Sequence, residues 1–208
     1  MIISSNKFSA TNNAKAIVLA FHNYQEVHGT LPPLYTVDAA GKPLHSWRVL
    51  ILPFLDKQDL YDKIKLDEAW DSEHNKQFHN AIIPAYRTKN SATDQNDNKT
   101  CNFVTIIGSP MKAKDGTSLS DIPDGTSNTA ATVELKESFC WMDPTKNITV
   151  EEFSKPLDGK EVLIGGSQEG GVIVGFWDGS VRIIPNKTPT EALKAIATAN
   201  GGESTAIQ

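Results

Sequence analysis

The stretch Gly170 to Ile184, GGVIVGFWDGSVRII, constrains this chain more than any other, because it spells out two strands and the turn that joins them. Two runs rich in Val, Ile and aromatic residues flank Asp178-Gly179, and Asp-Gly is a preferred pair for a two-residue type I′ turn in which both central residues take positive φ. A turn placed there predicts that Trp177 faces Ser180, Phe176 faces Val181, Gly175 faces Arg182, Val174 faces Ile183 and Ile173 faces Ile184. Alternation then gives one face to Val174, Phe176, Val181 and Ile183, the expected core face. The other carries Trp177, Ser180 and Arg182, with Gly175 leaving room beside Arg182.

A two-stranded ribbon is marginal alone, so something must cover its apolar face. The amino-terminal region supplies it. Thr11, Asn12 and Asn13 offer N-cap side chains, and Ala14, Ile17, Ala20, Phe21, Tyr24, Val27 and His28 recur at helical spacing. Gly29 stands where a C′ glycine belongs and Pro32-Pro33 follow, which predicts a helix of roughly four turns with one apolar stripe. His22 and His28 read as ordinary helix residues, a histidine near the C-terminus answering the helix dipole. Residues 1–11 read as an irregular lead-in.

The remaining punctuation is that of an antiparallel meander. Asp-Gly recurs at Asp115-Gly116, Asp124-Gly125, Asp158-Gly159 and Asp178-Gly179, with strand candidates at Cys101 to Gly108 and Thr129 to Leu135. Leu34 to Lys42 reads as a loop or short hairpin. Ser46 caps a short helix, WRVLIL, that Pro53 ends; Asp56 with Asp59 imitates a capping box for a helix over Lys57 to Lys65; Ser72 caps another short helix. Thr149 with Glu152 caps a single turn, and Thr188-Pro189-Thr190-Glu191 opens a closing helix with Pro189 at its first position. The fold class expected is α+β: an N-terminal helix packed on an antiparallel β-sheet, with short helical insertions and a C-terminal helix. It forms one domain over residues 12–203 with a tail at 204–208.

Composition narrows function mainly by exclusion. A net charge of −5 without a Lys/Arg cluster argues against a nucleic-acid groove, and no apolar run nears the ~18 to 20 residues of a membrane span. Cys101 and Cys140 permit one disulfide in an oxidising compartment and equally suit two small buried thiols. Gly165-Gly166-Ser167-Gln168-Glu169 lacks the last glycine of a nucleophile elbow, and no phosphate loop is present. His74 and His79 are five apart, not four, and Asp94, Asn96 and Asn98 open a calcium loop that lacks its glycine and its glutamate. Asp56, Asp59 and Asp62 read as a cap and a solvated face. No catalytic, cofactor-binding or metal-binding residues are therefore expected. Glu134 is the oddly placed carboxylate, in the middle of an apolar strand, and reads as a structural ion pair with Arg182 or Arg48. For ligand binding, Trp141 and Trp177 with Asp143 and Arg182 offer aromatic faces beside polar anchors.

Five stretches in order carry a family resemblance: NNAKAIVLAFHNYQEVHGTLPP, GKPLHSWRVLILPFLDKQDLYDKIKLDEAWDSEHN, IPDGTSNTAATVE, WMDP and GGVIVGFWDGSVRII. Together they resemble the planctomycete-type family of unknown function whose signature is a histidine, nine residues, then Asp-Gly, often labelled prepilin-processing-associated. The resemblance implies a type IV pilin-like or type II secretion pseudopilin-like fold, displayed outside the cytoplasmic membrane, periplasmic or at the cell surface. It implies a non-enzymatic structural or interaction subunit whose partners are other envelope or pseudopilin subunits, with an anchoring N-terminal helix that residues 1–11 do not contain. Asp178 and Gly179 keep the signature turn, while Gln168 stands at the place of the signature histidine, ten positions before Asp178. The competing expectation is a solute- or glycan-binding module built on Trp141 and Trp177.

Overall fold

The structure, a computed structural model, describes residues 2–88, 100–157, 159 and 162–201, with side chains from Ala10 onward. Helix α1 runs from Ile2 to His28. It is followed by the short hairpin β1 (Tyr35–Val37) and β2 (Pro43–Ser46), then α2 (Trp47–Leu50) and α3 (Gln58–Tyr61). Next come β3 (Cys101–Val104), β4 (Ala130–Phe139), α4 (Val150–Phe153), β5 (Gly171–Phe176), β6 (Val181–Pro185) and α5 (Thr190–Ala197). Strands β3 to β6 form an antiparallel sheet in sequence order, and β1 with β2 form a separate antiparallel pair. The expected class, a helix on an antiparallel meander closed by a C-terminal helix, is the observed one.

The helix lies across β4, β5 and β6. Ala10, Ala14, Ile17, Val18 and Phe21, spaced along one face, are completely buried there. Burying Ile17, Val18 and Phe21 is worth about 1.5–3 kcal/mol each, which offsets the ordering of the helix that carries them. The helix is longer than its N-cap signals imply: it passes through Thr11, Asn12 and Asn13 without stopping and is already helical at Ile2. Val27, assigned to the apolar stripe, is 67 % exposed, because the sheet ends before the helix does.

The closing hairpin departs from the expected register by one residue. Gly175 pairs with Val181, Val174 with Arg182, Ile173 with Ile183 and Val172 with Ile184. The loop holds three residues, not two: Gly179 N–H donates to Phe176 O at 3.0 Å, Phe176 N–H to Ser180 O at 2.8 Å, and only Gly179 takes positive φ, 86°. This is a turn followed by a glycine bulge, the usual three-residue solution. Its tip is fixed by Asp178 Oδ1, which accepts from Ser180 N–H, and by Trp177 and Asp178 N–H groups donating to Thr129 and Thr126 carbonyls. The extra residue moves Arg182 onto the face of Val174 and Phe176, and its guanidinium lies 4.3 Å from the Phe176 ring centroid.

Slippage by one residue is tolerated because both faces of β5 are covered, every residue from Gly171 to Phe176 being buried. In a sheet with one wet face the same slip would send the apolar set into water, but β5 has no wet face.

Local signals were resolved unevenly. Ser46 caps α2 and the Thr149–Glu152 capping box forms in full. Asp56 caps no helix: it ends the 3₁₀ turn Leu52–Leu55 in a left-handed conformation, φ 56°, and α3 starts after Lys57. Pro189 is the N-cap of α5 rather than its first residue. The loop from residue 89 to 99 with Asp94, Asn96 and Asn98, the turn at Asp158, and the tail at 204–208 lie outside the described residues.

Candidate functional site

Three places concentrate chemistry. The first is Glu134, in β4 beside the point where β5 stops pairing with it. The side chain is 1 % exposed, and its carboxylate accepts Ser167 N–H at 3.1 Å on Oε1, the Ser167 hydroxyl on Oε2 and the Thr88 hydroxyl. Residues 163–165 continue the line of β5 along β4. Gly165 N–H donates to Glu134 O at 2.7 Å, Lys136 N–H to Leu163 O at 2.9 Å, and Leu135 bridges Ile164. The chain then turns through Gly165 and Gly166, at φ 106° and 132°, and a Cβ on Gly166 would stand 3.5 Å from Glu134 Oε1. That glycine pair lets Ser167 reach back to the carboxylate.

The expected ion pair does not form. Arg182 donates to Ser127 O at 2.8 Å and stacks on Phe176. Arg48 is spent elsewhere, as described below. Glu134 is therefore a buried carboxylate held by uncharged donors, and burial, the larger influence, raises its pKa from the ordinary glutamate value against the pull of those hydrogen bonds.

Arg48 occupies the second place. Completely buried behind α2, it donates to Phe103 O from Nε and Nη2, to Lys146 O from Nη2 and to Ser46 Oγ from Nη1, at 2.7–3.0 Å. Its planar group lies 4.4 Å from the Trp47 ring centroid and 4.8 Å from that of Phe139. Tyr86 donates its hydroxyl to Arg48 O at 2.6 Å. Burial raises the pKa of the Tyr86 phenol and of the neighbouring Cys101 thiol, so neither is an anion for Arg48. A cation satisfied by carbonyls and ring faces is a structural tie between α2, β3 and the segment before α4.

The third place is a groove of about 540 Å³ beside α1, lined by Ala16 and Leu19, by Phe54 to Lys57 and by Ile83 to Ala85. Asn13 also lines it, its amide donating to Pro84 O at 3.0 Å and Arg87 O at 2.6 Å. Leu19 remains 46 % exposed in this groove.

The residues proposed for ligand binding do not assemble. Trp141 and Trp177 are completely buried, donating their indole N–H groups to Phe78 O at 3.1 Å and Ser109 O at 2.8 Å. Asp143 is occupied in a local turn, accepting from Thr145 N–H and Oγ at 2.9 and 2.7 Å. The ring-face argument for a glycan site fails on this burial. Gln168 donates to Glu169 O at 2.9 Å, one residue beyond the Ser167 contact with Glu134. Cys101 and Cys140 are free thiols. Among the described residues no group of three or more His, Cys, Asp or Glu side chains is placed to hold a metal ion, and no helix is long and apolar enough to cross a membrane.

Sequence reading missed Ser167 as the partner of Glu134 and Arg48 as a fully buried cation. The Gly165-Gly166 pair was the available signal for the first, marking close backbone approach; nothing local signals the second.

A profile of a family described as a protein of unknown function, DUF1559, matches residues 7–114. No curated protein and no solved structure matches the chain.

Proposed function

The chain belongs to the DUF1559 family of proteins of unknown function, and from that premise we propose that it is the extracytoplasmic head of a pseudopilin-like envelope protein, a non-enzymatic structural or interaction subunit. The observation that carries this reading is α1: one unbroken helix from Ile2 to His28 whose apolar face from Ala10 to Phe21 is buried against an antiparallel sheet. A head domain joined to a shaft needs a helix held firmly against its sheet, and the buried face from Ala10 to Phe21 supports that reading. The partners proposed for it are other envelope or pseudopilin subunits.

The groove beside α1, with Leu19 open to solvent, is the face assigned to such a partner. Leu19 lines this groove together with Ala16 and Phe54, and an apolar recess of this kind suits an apolar side chain of a second chain. The alternative of a solute- or glycan-binding module has lost the two tryptophan faces on which it rested.

Fractionation of the source cells with an antibody to this domain tests the location: the protein is expected in the envelope fraction, reachable by protease from outside the cytoplasmic membrane. Recovery in the cytosol would end the proposal. Asn23→Cys at the groove should give subunit cross-links in cells that Leu19→Glu abolishes, and turnover of any substrate by the purified domain would overturn its non-enzymatic part.

A further inference from the structure

Glu134 ties together three parts of the chain that are distant in sequence: its own strand, Ser167 beyond the Gly165-Gly166 bend, and Thr88 at the end of the segment after Pro84. We propose that this contact is a proton-sensitive clasp on residues 163–167, closing more firmly in acid and loosening as the carboxyl ionises.

The geometry sets the sign. The carboxyl is shut away from water, and among the described residues the charged groups on the segments that meet it, Lys136 and Glu137 on β4, Glu169 past Ser167 and Arg87 beside Thr88, are not among the groups that shift its ionisation. A buried charge compensated only by neutral donors is costly, whereas a protonated carboxyl keeps its partners, because the Ser167 and Thr88 hydroxyls can rotate to accept. Burial raises the pKa of the closed carboxyl above that of one released into water. Protons therefore bind the closed form more tightly. The stabilisation is fully present below the ordinary carboxylate pKa and is lost as pH rises through the raised one.

Opening the clasp frees the stretch of β4 that residues 163–165 cover. Three amides report on it: Lys136 N–H, bound to Leu163 O; Gly165 N–H, bound to Glu134 O; and Ser167 N–H, bound to Oε1. Hydrogen exchange on the whole chain, corrected for intrinsic rates, is measured at these amides from about pH 8 to about pH 5, with β5–β6 ladder amides as reference. Protection at the three is expected to rise about threefold or more on acidification relative to the reference. Glu134→Gln should give a flat profile no lower than the wild type at the alkaline end. Ser167→Ala, which removes one donor to the charged form, should move the rise to higher pH. Unchanged or falling protection in the wild type on acidification overturns the proposal, as does a Glu134→Gln profile that rises like the wild type. The wild-type profile decides the sign even if a variant fails to fold.

Discussion

Val18 rests directly on Gly175: a Cβ added at Gly175 would lie 3.0 Å from Val18 Cγ2 and 2.9 Å from Thr132 Cγ2. The helix approaches the sheet this closely because the strand carries nothing at that point, and the missing side chain sets the seat of α1 on β5. The room that the hairpin pattern left beside Arg182 is filled instead by the helix.

Gly175→Ala should therefore overpack this contact and cost about 1–3 kcal/mol. Urea unfolding should show a lower midpoint with an unchanged slope, since the same surface is exposed in both proteins. Val18→Ala combined with it should recover part of the loss, which would identify the helix as the obstructing element.

The hairpin tip gives a second test. Gly179 has φ 86°, and Asp178 is not among the residues with positive φ. Gly179→Ala should then cost about 1–2 kcal/mol, while Asp178→Ala should lose only the bond to Ser180 N–H, about 0.5–1.5 kcal/mol. Equal strain at both positions would indicate the two-residue turn.

Arg48 should be among the costliest single replacements. Arg48→Leu leaves the Lys146 carbonyl without its guanidinium donor and strips two bonds from Phe103 O, for a loss of about 3 kcal/mol or more. Arg48→Lys should restore little, because a point ammonium cannot serve three separated acceptors and two ring faces at once. Thermal unfolding of the two variants checks this.

His45 sets an acid limit on the fold. Its Nε2 meets Glu68 O at 2.8 Å and its Nδ1 is buried without a partner. Burial lowers the imidazole pKa against weaker opposing contributions from the carbonyls of Glu68, Lys65 and Leu66 and from Asp67. A lowered histidine pKa means stability that is present above the unfolded value, about 6.5, and lost as pH falls through the folded one. Urea midpoints should decline over that window in the wild type and less in His45→Gln. Glu134 acts in the opposite direction, so the pair His45→Gln and Glu134→Gln separates the two.

The thiols offer a chemical check. Burial raises Cys140 to about 11, and Cys101 is raised and fully buried. A thiol-reactive probe at pH 8 should label Cys140 about two orders of magnitude more slowly than an exposed cysteine. Two thiols should appear on denaturation without reductant; their absence would reveal a bridge.

What could be read from residue order alone was whatever depends on neighbours in sequence. The apolar stripe from Ala14 to Phe21, the Thr149–Glu152 capping box, the glycine requirement at position 179 and the order of helix and meander are local, and each formed. Register, partner choice and burial were decided by tertiary packing. Covering both faces of β5 removed the penalty that would have enforced the two-residue turn, so the loop took three. Arg48 and Arg182 found carbonyls and rings before they found Glu134, whose partner came from thirty-three residues away through two glycines. The aromatic residues that could have met a sugar became interior links instead, Phe21 lying 5.0 Å from Trp47 and 5.3 Å from Trp177. Turns and caps are set by a few adjacent torsions, whereas these contacts exist only once segments far apart in sequence share one interior.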